Sequence, residues 1–399
     1  MNLNMEMILK ALLFCQGVDG RRGLPIKFTA EPGTAKSSVI KQVALKHGLA
    51  VIVVIACIRE PSDFAGLPIP TTKKMADKIL TMVEFAAADW AVQAAEAKYV
   101  VVFLDEINQA PPAVQAALMR VVLEGCVGDL QLPSTVRFVA AMNSTEDATA
   151  GWDLALPLAN RFGHMQWQAP GVEEWTDWLI SLPSTPGPVD VQAEFDAEEE
   201  DDRVDAMWPQ PWAKARGLVA AFVRSRPELL HDKPAAGSPQ ASGAWASRRT
   251  WEMATRAMTS AEIHGLSPAD TDAVISSFVG DGPGRELAAF RDMCRLPDPY
   301  DLLDGKVSWQ HDPTRLDVSM AILSMCAASF ESTTMPNREK RASFFYKNIA
   351  KSVVEDAADL LIMPVRKMIQ YRLAAVPGAD PIVKHMVPML RAAGITDQK

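Results

Sequence analysis

A single stretch near the N-terminus decides the fold: Lys27-Phe28-Thr29-Ala30-Glu31-Pro32-Gly33-Thr34-Ala35-Lys36-Ser37-Ser38. Its start is compatible with a β-strand, its middle with a tight turn at Pro32-Gly33, and a helical pattern follows at once. Residues 30 to 37 partly match the phosphate-loop pattern G-x-x-x-x-G-K-[ST], with Ala30 and Ala35 standing where that pattern has glycine. The stretch therefore predicts a strand, a turn able to bind phosphate, and a helix.

The turn contains the residue types that hold a nucleotide phosphate and its metal ion. Consecutive backbone N–H groups at a helix N-terminus attract an anion, and the helix dipole adds to that attraction. Lys36 can place its ammonium group against the phosphates, and the Ser37 hydroxyl can bind Mg²⁺. The nucleotide-binding residues are therefore predicted to be Gly33, Thr34, Ala35, Lys36, Ser37 and Ser38. The alternative is an ordinary strand, turn and helix with a surface lysine.

A second stretch supplies the carboxylates that such a site needs. Tyr99 to Leu104 form an apolar run rich in β-branched residues, which predicts a strand buried on both faces of a parallel sheet. Asp105 and Glu106 follow directly. Asp105 can complete the metal site, and Glu106 can orient and deprotonate an attacking water. A helix N-cap is the alternative for this acidic pair, but its position after the first stretch favours the catalytic interpretation.

With these residues in view, the chain resembles the AAA+ ATPases, and among them the MoxR-like group. Loops of that group often read Pro-Gly-x-Ala-Lys-Ser, which accounts for Ala35. Ala30 remains a departure: either the loop geometry tolerates its Cβ, or nucleotide affinity is reduced. The resemblance covers about residues 20 to 260 and implies an Mg²⁺-dependent ATPase.

The same resemblance assigns two further residues. Val136 to Met142 predict a strand that ends in Asn143, which the resemblance identifies as sensor 1, a hydrogen-bonding partner of the γ-phosphate or the attacking water. A loop-capping asparagine is the alternative. Arg161, within Leu156 to Phe162, stands at the arginine-finger position and would reach the nucleotide of a neighbouring subunit, which implies a ring or at least a dimer. The alternative is an arginine that is merely solvated.

The remaining N-terminal pattern predicts a doubly wound sheet. Ser37 to His47 predict a helix, and Ala50 to Ala56 predict a second buried strand. Arg59 to Pro68 predict a loop because of their prolines and glycine. By analogy with the MoxR-like group, residues 60 to 80 hold an insert that touches substrate near a pore; a plain surface loop is the alternative. Gly125 to Pro133 predict a hairpin.

Beyond residue 170 the pattern becomes helical. Residues 171–280 are predicted to form an α-helical lid with an exposed acidic insertion near 184–206, which includes Glu198 to Asp202. Residues 281–399 predict a helical C-terminal extension. In the lid, Ser247-Arg248-Arg249 resembles the Ser-Pro-Arg element of the MoxR-like group and places Arg249 as sensor 2 over the phosphates. Whether Arg248 or Arg249 fills that role stays open.

Composition fits a globular enzyme. The 399 residues are 48% hydrophobic and 22% charged, with a mean hydropathy of +0.01, which excludes a disordered chain and a membrane protein. The net charge of −9 argues against a surface devoted to nucleic-acid backbones. Met5 to Leu13 predict an amphipathic first helix, too short for a signal peptide or a span.

The cysteines indicate a reducing compartment. There are five of them, scattered along the chain with no C-x-x-C pair, which predicts free thiols, no zinc site and a cytoplasmic protein.

These observations predict an α/β fold: a three-layer doubly wound parallel sheet of the AAA+ P-loop type over residues 1–170, followed by the lid and the extension. The resemblance implies hydrolysis of ATP with Mg²⁺ in an oligomeric ring, expected to be a hexamer, that remodels or matures a partner protein. In the family that partner often carries a von Willebrand factor A-like domain. Two alternatives remain: a nucleotide-sensing scaffold with little hydrolysis, and an AAA+ motor acting on nucleic acid, which the net charge disfavours.

Overall fold

The computed structural model describes residues 4–75, 78–143, 152–169, 171–181, 193–235 and 237–392. Its strands are β1 (Ile26–Ala30), β2 (Ala50–Ile55), β3 (Leu67–Met75), β4 (Lys78–Ala86), β5 (Val100–Asp105), β6 (Cys126–Val127), β7 (Leu130–Gln131), β8 (Val136–Asn143) and β9 (Gly163–Gln166). Its α-helices are α1 (Met5–Leu13), α2 (Lys36–Lys46), α3 (Ser62–Ala65), α4 (Asp89–Ala97), α5 (Pro112–Glu124), α6 (Leu156–Ala159), α7 (Val172–Ser181), α8 (Ala197–Met207), α9 (Pro209–Ser225), α10 (Arg248–Ile263), α11 (Pro268–Val279), α12 (Asp281–Cys294), α13 (Pro299–Leu303), α14 (Leu316–Ser329), α15 (Arg338–Phe344), α16 (Lys351–Val353), α17 (Ile362–Gln370) and α18 (Ala379–Ala392).

A five-stranded parallel sheet in the order β2-β5-β8-β1-β9 carries the candidate site. Ala30 pairs with Asn143, and Ile55 pairs with Asp105. The carboxyl ends of β1, β2, β5 and β8 therefore lie along one edge of the sheet. Parallel neighbours need crossover connections, which here include the helices α2, α4 and α5. The predicted α/β fold with a parallel sheet is confirmed.

The two strands predicted to be buried differ in their surroundings. On β5, Val100 to Leu104 are at most 1% exposed because β2 and β8 flank the strand and helices cover it, as predicted. On β2, Val53 and Ile55 are 48% and 39% exposed. The prediction of a buried β2 is wrong because this strand is the outermost of the sheet and only β5 flanks it.

Two hairpins project from the sheet region. The predicted loop at Arg59 to Pro68 contains the short helix α3, and β3 and β4 then pair in antiparallel along nine residues each. The hairpin predicted at Gly125 to Pro133 is confirmed by the pairing of β6 with β7.

The acidic run is a helix, not an exposed insertion. Asp201, on α8, is buried, and both of its carboxylate oxygens accept hydrogen bonds from Arg137 Nη2 at 2.8 Å. Its neighbour Glu200 pairs with Lys10 of α1 at 3.1 Å. The prediction of an exposed insertion is wrong for one side of this helix, which a buried arginine on β8 and a lysine on α1 attract. Glu198, Glu199 and Asp202 on its other side are exposed, as predicted. Residues 182–192 of the predicted insertion lie outside the described residues.

The chain divides into two compact units. The N-terminal unit comprises Met1–Asp205 and His231–Asp281, and the C-terminal unit comprises Ala206–Leu230 and Gly282–Lys399. This division differs from the predicted one at α9, which was expected to belong to the lid. Gly217 brings α9 so close to Met325 of α14 that an added Cβ would lie 2.4 Å from that side chain. This packing between helices places α9 in the C-terminal unit.

All five cysteines are free thiols. Among the described residues, no helix combines the length and the apolar character that crossing a membrane requires.

Candidate active site

Residues 30 to 37, here called the candidate phosphate loop, join β1 to α2 in a strained turn. Gly33 and Ala35 have φ values of 79° and 60°, so both residues lie in the left-handed region. This conformation is free for glycine but costs a residue with a Cβ about 1 to 2 kcal/mol. Ala35 therefore adopts the conformation for which phosphate loops use glycine. Ala30 is the last residue of β1, where a Cβ causes no conflict, so the geometry tolerates this second departure from the motif.

The first turn of α2 can bind an anion. Ala35 is the N-cap residue, and its side chain has no group that could accept a hydrogen bond from the first turn. Backbone N–H groups at an uncapped helix start are unsatisfied and attract negative charge. The predicted residues Lys36, Ser37 and Ser38 form this turn.

Lys36 points along the edge of the sheet. Its Nζ donates to Asn143 Oδ1 at 2.6 Å and to the Met142 carbonyl oxygen at 3.3 Å. Burial lowers the pKa of Lys36, and the negative charges of Asp105 and Glu106 oppose that shift. Both hydrogen-bond partners are neutral, so in the described part of the chain no direct carboxylate contact neutralises this buried cation. The structure thus brings Lys36 and Asn143 together and leaves a positive charge that a phosphate would neutralise.

Ser37 and Asp105 form the candidate metal site. Ser37 Oγ donates to Asp105 Oδ2 at 3.1 Å, and the other carboxylate oxygen accepts from the Glu106 backbone N–H. Mg²⁺ prefers such oxygen ligands and keeps several from phosphate and water. Within the described ranges, no cluster of three His, Cys, Asp or Glu side chains could hold a metal by itself. The donor set therefore fits Mg²⁺ bound together with a nucleotide.

Glu106 has a partner that sequence reasoning missed. Cys57, two residues after β2, donates from Sγ to Glu106 Oε2 at 2.8 Å. Burial raises the pKa of Cys57 to about 11, and the hydrogen bond to Glu106 adds to the shift, so the thiol keeps its proton at neutral pH. Glu106 itself has a φ of 54°. The sequence offered no signal for this contact beyond the position of Cys57 directly after a predicted strand.

Arg161 and Arg249 lie at the opposite edge of the sheet. Arg161 lies two residues before β9, whose first residue pairs with the first residue of β1. Because β1 spans five residues, this edge is roughly 15 Å from the candidate phosphate loop. Arg161 donates to the Pro157 carbonyl oxygen. Both arginines line one cavity with Pro25 and Phe138. Burial lowers the pKa of Arg161, and the positive charge of the nearby Arg249 lowers it further.

Arg249, which was predicted to lie over the phosphates, lines this cavity with Arg161, and its assignment as sensor 2 stays a prediction. A hydrogen bond holds the start of α10 there: Ser247 caps the helix and donates from Oγ to Asn160 Oδ1 at 2.9 Å. Asn160 neighbours Arg161, so α10 begins beside that residue. Arg248 is exposed and lines the adjoining cavity with Arg249.

Comparison with known proteins was made at three levels. No protein-family model matches the chain, and no curated protein matches its sequence. A provisionally assigned ATPase from Cytophaga hutchinsonii is similar in structure, with a TM-score of 0.44, 15% identity, and coverage of 68% of this chain and 79% of that chain. A full-length MCM homologue from Methanopyrus kandleri has a TM-score of 0.38, 19% identity, and coverage of 72% of this chain and 53% of that chain. Similarity at this level does not indicate an activity or a partner.

Proposed function

We propose that this chain is an AAA+ ATPase of the MoxR-like group. The convergence of Lys36, Ser37, Asp105, Glu106 and Asn143 at one sheet edge carries the proposal. These five side chains supply a cation for phosphate, two oxygen ligands for a metal, a carboxylate base and a neutral hydrogen-bonding group. This combination is the one that hydrolysis of a nucleoside triphosphate requires.

Each residue has a distinct task in the proposed reaction. The first turn of α2 and Lys36 bind the phosphates, and Ser37 and Asp105 would hold Mg²⁺. A bound Mg²⁺ neutralises charge that develops on the phosphate oxygens. Glu106 orients the attacking water and accepts its proton, and the Cys57 hydrogen bond to Oε2 restrains how its carboxylate can turn. Asn143, freed from Lys36, donates from its amide to the γ-phosphate or to the water.

The active site is completed between subunits. Arg161 and Arg249 lie together at one edge of the sheet, and the candidate phosphate loop of the same chain lies at the opposite edge. Neither has an ion-pair partner in the described part of the chain, so both can receive an anion. We assign them to the nucleotide of a neighbouring copy, in a ring expected to be a hexamer. Arginines supplied in this way accelerate hydrolysis by about 10³- to 10⁵-fold in other nucleotidases.

The proposed ring uses ATP hydrolysis to remodel a partner protein, as the resemblance implies. A partner with a von Willebrand factor A-like domain is the expected kind, and the place of action is the cytoplasm, where free thiols such as those of this chain persist. Nucleic acid is not the expected substrate because the chain carries a net charge of −9.

One observation favours a second candidate, a nucleotide-sensing scaffold with little hydrolysis. Cys57 donates to Oε2 of Glu106 and so holds the carboxylate in one orientation, which restricts its turning towards an attacking water. A chain in which the contact persists would bind ATP and change shape without turnover.

Steady-state hydrolysis of ATP by the wild-type chain and by Glu106→Gln tests the proposal. The amide keeps the size of the side chain but cannot accept the proton, so we expect a loss of turnover of about 10²-fold or more with retained ATP binding. Measured in Mg²⁺ and again in EDTA, wild-type activity should disappear without the metal. Equal, negligible turnover in both proteins together with tight ATP binding would favour the scaffold instead.

A further inference from the structure

The hairpin β3–β4 exposes an unusual amount of apolar surface. Its register is regular from the pair Leu67 and Ala86 to the pair Met75 and Lys78, with no bulge. Large apolar side chains on both of its faces are exposed, and Ile79 is 76% exposed; the others are Leu67, Ile69, Leu80, Met82, Val83 and Phe85. Within the described residues, the two strands form a sheet of their own. Neither outer edge therefore pairs with a third strand in the described part of the chain.

The backbone hydrogen bonds show which residues face outward. The N–H of Phe85 donates to Asp129 Oδ2 at 2.7 Å, and its carbonyl oxygen accepts from the Asp129 N–H at 2.9 Å. Both groups of Phe85 thus point away from β3. In an antiparallel pair this direction alternates along each strand. The backbone groups of Ile79, Thr81 and Val83 therefore also point outward from β4.

The two outer edges differ in what they can bind. On β3 the outward-facing residues are those opposite the outward residues of β4, namely Pro68, Pro70, Thr72 and Lys74. Pro68 and Pro70 have no N–H to donate, and proline is a common device for protecting an edge strand from pairing. The edge of β4 has no such protection between Ile79 and Val83. One edge of the hairpin is blocked and the other is available.

We propose that the open edge of β4 binds an extended segment of a partner polypeptide as a third strand. Main-chain hydrogen bonds to Ile79, Thr81 and Val83 would supply the affinity, as in other cases of strand addition. The proposal deepens the proposed function, on which it rests for the view that the partner is a protein, and it identifies what the partner must offer.

The side chains around this edge define the segment. Ile79 and Val83 flank it on one face, and Leu80 and Met82 on the other, so residues on both faces of the added strand should be apolar or β-branched. Lys73 and Lys74 are exposed near the tip of the hairpin, about 10 Å away across two strand spacings. An acidic residue at the end of the segment near the tip complements these charges. If the segment pairs antiparallel to β4, which is the commoner arrangement, its C-terminal end lies near the tip, because β4 begins there.

A pair of proline substitutions tests the proposal. Thr81 and Thr72 lie directly opposite each other in the hairpin, and both face outward. Thr81→Pro removes a donor from the open edge, whereas Thr72→Pro makes the same chemical change on the blocked edge and is the matched control. The probe is a short fluorescein-labelled peptide in which valine alternates with threonine and two glutamates follow at the C-terminus. Its binding to the full chain is measured by fluorescence anisotropy.

We expect Thr81→Pro to weaken peptide binding by about tenfold or more, because the ring removes one hydrogen bond and obstructs the edge. Thr72→Pro should stay within about twofold of wild type, and a peptide ending in two lysines should bind less well. Equal weakening in both variants, or no binding by the wild type, would overturn the proposal. So would a change in oligomeric state caused by Thr81→Pro alone, since the edge would then serve a second copy of the chain.

The hydrolysis assay separates this proposal from the proposed function. Thr81 lies outside the nucleotide site, so Thr81→Pro should hydrolyse ATP at the wild-type basal rate. A wild-type chain that binds the peptide at this edge but does not hydrolyse ATP would contradict the ATPase assignment and leave the strand-binding edge standing.

Discussion

On the scale of single residues, two strained backbone positions lie at the candidate active site. Ala35 and Glu106 both have positive φ values, and each lies where the chain leaves a strand at the same edge of the sheet. Such conformations persist where the surrounding structure holds them, and they are frequent at active sites. For Glu106 the conformation and the Cys57 contact together fix where the carboxylate points.

Removal of the Cys57 thiol should free Glu106. In Cys57→Ala the carboxylate loses a hydrogen bond of 2.8 Å, so it can turn towards the attacking water. We expect kcat for ATP hydrolysis to rise by about two- to fivefold, in line with the roughly 1 kcal/mol that a neutral hydrogen bond contributes. Steady-state kinetics with saturating ATP measure the change.

A second thiol provides the control for this substitution. Cys126 also donates to a side-chain oxygen at 2.8 Å, that of Gln131, but it lies in the β6–β7 hairpin. Cys126→Ala should leave kcat unchanged. If Cys57→Ala lowers kcat, the thiol assists Glu106 in catalysis instead of restraining it.

The sequence predicted the loop residues because their order is local, whereas the positions of Cys57 and Arg249 depend on distant contacts. Lys36 and Ser37 follow Gly33 within one turn, so their grouping is read directly from the chain. Arg249 is placed by the bond between Ser247 and Asn160, which no spacing indicates.

At the scale of elements, α8 is held to the sheet by a buried ion pair. The Asp201 carboxylate contacts the Arg137 guanidinium at 2.8 Å, and both side chains are almost completely buried. Burying charges is costly, but removing one partner leaves the other uncompensated. The arginine also donates to the Leu13 carbonyl oxygen of α1 at 2.9 Å. Arg137 therefore joins β8, α1 and α8.

Substitution of Asp201 should destabilise the N-terminal unit strongly. In Asp201→Asn the Arg137 charge stays buried without a counter-charge, which costs about 3 to 5 kcal/mol. Denaturant unfolding followed by tryptophan fluorescence measures this loss.

The adjacent residue is a suitable control. Asp202 is exposed, so Asp202→Asn should change stability by less than about 0.5 kcal/mol. Similar losses in the two variants would mean that the helix is sensitive to its overall charge and not to the buried pair.

The sequence misled at this element because a run of like charges usually forms a solvated surface. A different signal pointed to the correct structure. Arg137 interrupts the apolar strand Val136 to Met142, and an arginine inside a buried strand needs an acidic partner. Which acidic residue would meet it could not be derived from the sequence.

Acid should destabilise the N-terminal unit through a buried histidine. Burial lowers the pKa of His47 from 6.5 to about 4, and its charged neighbours act in both directions: Lys10 and Lys46 lower it, Glu200 and Glu6 raise it. The folded state thus binds the proton less readily than the unfolded state. The stability contributed by this group is complete above about pH 6.5 and is lost as the pH falls towards 4.

His47→Phe isolates this contribution. His47 stacks on Phe195 with ring centroids 4.8 Å apart, so phenylalanine keeps the packing and removes the titration. Denaturant unfolding between pH 6.5 and 4 should show a shallower decline for this variant than for the wild type. The matched control is His385→Phe, because His385 is exposed. An equal dependence of stability on pH in the wild type, His47→Phe and His385→Phe would contradict the assignment.

At the scale of the whole molecule, the parallel sheet was predictable and the division into units was not. The apolar runs of β5 and β8 and the turn after β1 indicate a parallel sheet by themselves. The assignment of α9 depends on the close approach of Gly217 to Met325, more than a hundred residues later in the chain. Contacts of that range leave no local pattern.

The central claim, that each active site is completed by a second copy of the chain, is tested most directly by mixing two inactive variants. Lys36→Ala loses the phosphate contact, and Arg161→Ala loses the group supplied to the neighbour. In an equal mixture of the two, about one interface in four combines an intact loop with an intact arginine. We predict that each variant alone is inactive and that the mixture recovers roughly a quarter of the wild-type hydrolysis rate, as it should with Arg249→Ala in place of Arg161→Ala. A mixture that assembles but stays as inactive as its components would contradict the account.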